Sequence, residues 1–156
     1  TNQCIPVETK NHSYMDKEGN MLSGHWVVPK GKNTYRSNIS EQLDLIDSLR
    51  LHFSAIHVHP FATSIALYDR TAQKNVFHSP ISNYKNKTGL LEVTPFSSQA
   101  GVWLYKNHDY ELVLEVDNTS TTNQDMMGSI FLFFYDNFQR ISLSCVAKNS
   151  VRTLFL

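Results

Sequence analysis

The chain has 156 residues, 41% of them apolar and 18% charged, with 14 Lys+Arg against 14 Asp+Glu and a formal net charge of zero. That length is one ordinary domain, able to bury a core without staples, and the composition is globular rather than disordered. The charge balance excludes a basic nucleic-acid groove and a polybasic membrane surface, and no apolar run approaches the roughly 18 residues of a membrane span.

The sequence opens at Thr1 without a methionine, which reads as a mature or trimmed form. Cys4 and Cys145 lie near opposite ends, which a β-sandwich can bring together. One disulfide in an exported, periplasmic or secreted protein is the expectation, with two unrelated buried thiols as the alternative. Neither cysteine has a CxxC neighbour, so a cysteine-based zinc site is not expected.

In chain order, "HWVVPKGKNTYRSNI" mixes aromatic and β-branched residues broken by Pro29 and Gly31. "SEQLDLIDSL", 40–49, is the one good helical candidate. Ser40 stands at its cap position and Leu43, Leu45, Ile46 and Leu49 form a loose face; a loop with one helical turn is the alternative. From Leu51 the chain alternates, with Leu51, Phe53, Ala55, His57 and His59 on one face and His52, Ser54, Ile56 and Val58 on the other. "SIALYDRTAQKNVFHS" predicts a hairpin with Asp69 to Lys74 as its connection. "TGLLEVTPFSSQAGVWLYKN" mixes short extended pieces with turns. "DYELVLEVDN" alternates cleanly, Tyr110, Leu112, Leu114 and Val116 against Glu111, Val113 and Glu115. "NTSTTNQD" is a polar loop, "MMGSIFLFFYD" is apolar on both faces like a central strand, and "SVRTLFL" is a last strand. About eight strands predict an all-β chain, a single antiparallel β-sandwich or jelly roll spanning 1–156.

His57 and His59 carry the chemistry of this pattern. Residues i and i+2 of a strand point to the same side, about 7 Å apart, so two imidazoles there can converge on one metal ion. The alternative is one structural and one exposed histidine. Further ligands come from seven histidines in all, and from Met126 and Met127, which follow the polar loop at the start of a strand.

This combination resembles the C-terminal copper domain of the peptidylglycine α-hydroxylating and dopamine β-monooxygenase family. In that family an HxH pair and a methionine about seventy residues later hold the catalytic copper. Here the pair is His57-Val58-His59, Met127 follows, and "NTSTTNQDMMGSIFLFFYD" looks like the family's loop, methionine and strand. The resemblance covers about residues 50–138. It implies a copper cofactor held by His57, His59 and Met127, with Met126 on the opposite face of an alternating strand. It also implies ascorbate-dependent monooxygenase chemistry. The family's second copper sits in another domain, bound by three histidines, which a chain this short does not also hold. A fainter similarity to methanotroph copper-binding surface proteins rests on "GHWVVPKG", where His25 is a candidate third imidazole beside Trp26.

The donor set suits copper independently of the resemblance. A thioether favours Cu(I), imidazole accepts Cu(I) and Cu(II), and zinc rarely uses methionine. Met127 as core filler is the structural alternative. Asp125 either orients a ligand imidazole or caps the loop, with the loop role favoured. His108 is expected to make a hydrogen bond or face solvent, His52 to point away from the pair, and His12 and His78 to lie exposed in polar loops. "NHS", "NIS", "NKT" and "NTS" match glycosylation acceptors. There is no phosphate loop, HExxH or GxSxG. The expectation is a mononuclear copper-binding protein for copper capture, delivery to a receiving or redox partner, or electron transfer. The alternatives are a copper oxidase or monooxygenase with an external electron donor, and a metal-free jelly-roll binding module.

Overall fold

A computed structural model of the chain describes residues 13–15, 21–23, 26–135 and 149–155. The strands in chain order are β1 (Ser13–Met15), β2 (Met21–Ser23), β3 (Trp26–Val28), β4 (Gly31–Asn38), β5 (Leu49–Val58), β6 (Ala62–Asp69), β7 (Lys74–Asn83), β8 (Leu90–Val93), β9 (Ser97–Leu104), β10 (Tyr110–Asn118), β11 (Gln124–Met126), β12 (Gly128–Tyr135) and β13 (Asn149–Phe155). One five-stranded sheet has the order β4-β10-β6-β7-β8 and one four-stranded sheet the order β13-β12-β5-β9; β1-β2 and β3-β11 form short ribbons. Every pairing is antiparallel. The expected all-β sandwich is therefore the fold. The strand count exceeds the expected eight because the ribbons and the short β8 are too brief to leave a pattern in the sequence.

The two sheets face each other across one apolar core. The alternation of β10 turns Leu112, Leu114 and Val116 inward, and β6 adds Ile65 and Leu67 beside them. From the opposite sheet come Leu51, Val58, Ile130, Leu132 and Phe134. Each such buried side chain contributes roughly 1.5–3 kcal/mol. β12 is central between β13 and β5, as its apolar character on both faces predicts. No helix of the described residues is long and apolar enough to cross a membrane.

Two local expectations change. The helix is the single turn α1 (Ser40–Leu43), ended by Asp44 in the left-handed region at φ 43°. Ile39 occupies the cap position without a side-chain bond, because the Ser40 hydroxyl instead accepts from the Tyr110 amide at 2.9 Å. Ile46 is 71% exposed, so the apolar residues of 40–49 never share a buried face. The second change is a bulge at His52. Phe133 and Phe134 pair with Phe53 and Leu51, skipping His52. The slip puts Leu51 on the core side with Ser54 and Val58 and leaves Phe53 and His57 outside. The His52 ring lies against β9, with Nδ1 3.0 Å from the Ser98 carbonyl oxygen. Gly101, at φ +70°, sits against that ring: an added Cβ would approach His52 Nε2 to 2.6 Å.

The hairpin forms with its connection between Asp69 and Lys74, as expected. His78 is exposed as expected, but within strand β7 rather than a loop. Cys4, Cys145 and His12 lie outside the described residues.

At this end of the sandwich a polar knot joins two turns. Asp69 is buried at 2% exposure, and its carboxylate accepts from the Ala72 amide at 2.8 Å and meets His108 Nδ1 at 2.7 Å. His108 thus makes the expected hydrogen bond, to a partner 39 residues away in sequence. The Tyr110 hydroxyl accepts from the Tyr105 amide at 2.6 Å. Burial pushes the Tyr110 phenol up from 10.0 to about 12, against the lowering effect of the Tyr105 backbone bond and with a further upward push from Asp69.

Asp69→Ala removes a buried acceptor of two bonds and is expected to cost about 2–3 kcal/mol in urea unfolding; a cost near zero would show the knot to be decorative. The raised Tyr110 pKa favours the neutral phenol in the fold. Its stabilising effect is complete below pH 10.0 and is lost as pH rises toward about 12. Tyr110→Phe should flatten the fall of melting temperature over that interval, relative to the unmodified chain.

Candidate metal centre

The histidine pair stands where the chain leaves one sheet for the other. β5 ends at Val58, and β6 of the opposite sheet begins at Ala62. The crossing is made by His59, Pro60 and Phe61, with Phe61 in the left-handed region at φ 76°, an uncommon conformation for a bulky residue. Asn83 of β7 holds it there. Its carbonyl oxygen accepts from the Phe61 amide at 2.8 Å, and its amide donates to the Ala62 carbonyl oxygen at 2.7 Å. The Asp117 amide binds the Phe61 carbonyl oxygen at 2.9 Å. The turn that carries His59 is therefore bound to two strands of the five-stranded sheet.

The rings of His57 and His59 come together with centroids 5.8 Å apart and planes at 77°. With metal–nitrogen bonds of about 2.0–2.1 Å, two imidazoles sharing one ion have centroids at most about 6.5 Å apart, so this separation fits a shared ion. His57 is exposed, and the His59 side chain is 23% exposed.

Asp125 reaches the pair from β11. Its Oδ2 lies 3.0 Å from His59 Nδ1. Of the two roles expected for Asp125, contact with an imidazole is the one the fold displays. The Asp125 side chain is 59% exposed, so the contact is worth only about 0–1 kcal/mol of stability; its consequence is orientation. A carboxylate on Nδ1 favours the tautomer with hydrogen there, which leaves the lone pair of the neutral ring on Nε2. The polar loop before β11 is itself well anchored. Fully buried Asn118 donates to the carbonyl oxygens of Val28 at 3.2 Å and Thr122 at 2.9 Å, and its own carbonyl oxygen accepts from the Ser120 hydroxyl at 2.6 Å.

The two methionines separate. Met126 pairs with Trp26 across the ribbon and is fully buried within the core. Met127 is buried at 7% exposure but lies outside that core cluster. β12 begins with Gly128 opposite Val58 and Ser129 opposite His57. Met127 directly precedes this paired stretch of β12, and His59 directly follows the paired stretch of β5. His25 lies outside the described residues, while its neighbour Trp26 packs edge-on to Tyr35 at 5.3 Å. The buried Trp26 indole nitrogen has no hydrogen-bond partner among the described residues.

His108 belongs elsewhere. Its ring contacts Tyr105 at 4.8 Å, next to Leu104, which pairs with Leu49 at the far end of β5 from Val58. That is roughly 30 Å along the strand. Among the described residues no three His, Cys, Asp or Glu side chains are grouped to hold a metal ion. Sequence reasoning missed Asp69 as the partner of His108 and did not favour the contact of Asp125 with His59 that the fold contains. A carboxylate two residues before Met127 was the available signal for the latter.

Asp125→Ala should convert His59 from a single tautomer to a mixture at neutral pH, read from long-range nitrogen–proton NMR of the imidazole. An unchanged tautomer would show that Asp125 does not orient the ring.

No family model, curated protein or solved structure matches this chain.

Proposed function

We propose that the chain binds one copper ion through His57, His59 and Met127, with His25 as a further ligand. The observation that supports this reading is the convergence of the two imidazoles together with the Asp125 carboxylate on His59 Nδ1. A carboxylate behind a ligand imidazole is the usual outer partner of a metal site, because it fixes the ring and raises the basicity of the ligating nitrogen. The residues present fit copper on donor chemistry: imidazole serves both oxidation states and a thioether stabilises Cu(I). Copper held this way supplies one-electron redox capacity. The chain's own residues set its access, since His57 is exposed while Met127 is buried.

An exposed imidazole, a partly buried one and a buried thioether would together suit copper capture, delivery to a receiving protein, or electron transfer in the periplasm or outside the cell. Ions enter and leave on the His57 side, and the methionine holds the reduced form against loss.

The test is elemental analysis after loading with equimolar Cu, Zn and Ni, on the unmodified chain and on His57→Ala, His59→Ala and Met127→Ala. Copper near one equivalent is expected for the unmodified chain, with sub-stoichiometric copper in both histidine variants. Met127→Ala should weaken Cu(I) binding more than Cu(II) binding, measured by competition with chromogenic chelators. Equal copper content in all four proteins would remove the proposal.

A further inference from the structure

The five-stranded sheet has a second face, turned away from the core, and strand register builds a hollow on it. Four strands each contribute one side chain to a single row: Arg36 from β4, Val113 from β10, Ala66 from β6 and His78 from β7. The middle two are short and the outer two long, so the row dips at its centre. On one flank Tyr68 stands between Glu111 and Asn75; on the other Glu115 stands opposite Ser64. The hollow, open on its solvent side, has a volume of about 310 Å³, at the small end of the ~300–1,000 Å³ typical of ligand sites.

The walls are polar and already arranged. Ser64 is 5% exposed, and its hydroxyl donates to Glu115 Oε2 at 2.7 Å, which holds that carboxylate while leaving its other oxygen as an acceptor. Arg36 Nη1 donates to Glu111 Oε2 at 2.7 Å; this compensates its charge and leaves the other guanidinium N–H groups as donors. Exposed Asn75 and His78 add a donor and an acceptor each. Ala66, Val113 and the half-buried Tyr68 ring provide the apolar surface.

This charge pattern selects a ligand class. The lining holds one carboxylate, Glu115, against one guanidinium, Arg36, which is itself paired with Glu111, so a phosphate or carboxylate meets no uncompensated positive charge. An apolar ligand would strip water from Arg36 and Glu115 without replacing its hydrogen bonds, a costly exchange. A ring of hydroxyls avoids both problems, because each hydroxyl donates to a carboxylate and accepts from a guanidinium or amide. The C–H face of such a ring packs on an aromatic side chain. We propose that this hollow is a carbohydrate site, which takes a neutral sugar ring with its apolar face on Tyr68 and its hydroxyls on Glu115, Arg36 and Asn75. It lies on the other sheet from His57 and His59 and stands whether or not those residues bind copper.

The experiment is calorimetric titration of the intact, metal-free chain with glucose, mannose, galactose, N-acetylglucosamine, cellotetraose and maltotetraose. At least one is expected to bind at millimolar or lower concentration. Tyr68→Ala and Glu115→Ala should each weaken that binding at least tenfold. Ala66→Leu fills the hollow and should abolish binding, with melting temperature confirming that each variant is folded. The paired substitution His57→Ala and His59→Ala should leave binding unchanged. No binding by any saccharide of the panel would overturn the proposal. So would binding that survives in folded Tyr68→Ala and Glu115→Ala, or a hollow that takes spermidine or inorganic phosphate in place of sugar.

Discussion

The hydrogen bond from the Phe61 amide to Asn83 governs where the chain passes between the sheets. Phe61 adopts a backbone conformation that costs of order 1–3 kcal/mol for a bulky residue, and its side chain packs against the core. Asn83 and Asp117 hold that conformation from the five-stranded sheet. Because β5 and β6 are joined by this turn, the alignment of one sheet over the other and the position of His59 are settled together. A relaxed turn would shift both.

The fold was largely legible where burial obeys a simple period. β10 alternates because one side faces the core, and its inward residues are those the sequence predicts. β5 was read on the wrong face at its start because the bulge at His52 is invisible to an alternation count. Nothing local in "LHFSAI" requires it; the extra residue is absorbed by β9, where Gly101 leaves room for the imidazole. In the 40–49 segment the alternative of a loop with one helical turn is the one formed, and the Ser40 hydroxyl is claimed by Tyr110, seventy residues on.

The candidate sites divide along the same line. His57 and His59 are two apart in sequence and their rings come together where β5 ends and the turn begins, so the pair was readable as near neighbours. The partnership of Asp125 with His59 depends on the β3-β11 ribbon, and that of Asp69 with His108 on two turns folding against each other. The hollow on the five-stranded sheet depends on the lateral register of four strands, including a bulge in β7 that brings Asn75 beside Tyr68. A single sequence carries no direct record of which residues become cross-strand neighbours.

The β3-β11 ribbon, which sets Asp125 opposite Val27, has a bearing on the order of assembly. These partners are separated by most of the chain, and contacts of such long sequence span close slowly because the loop entropy must be spent before the pairing rewards it. The rings of His57 and His59 are brought together within one short stretch of chain, whereas the carboxylate beside His59 comes from this distant pairing. The contact between Asp125 and His59 is therefore a property of the fully assembled sandwich, present only once the ribbon has closed.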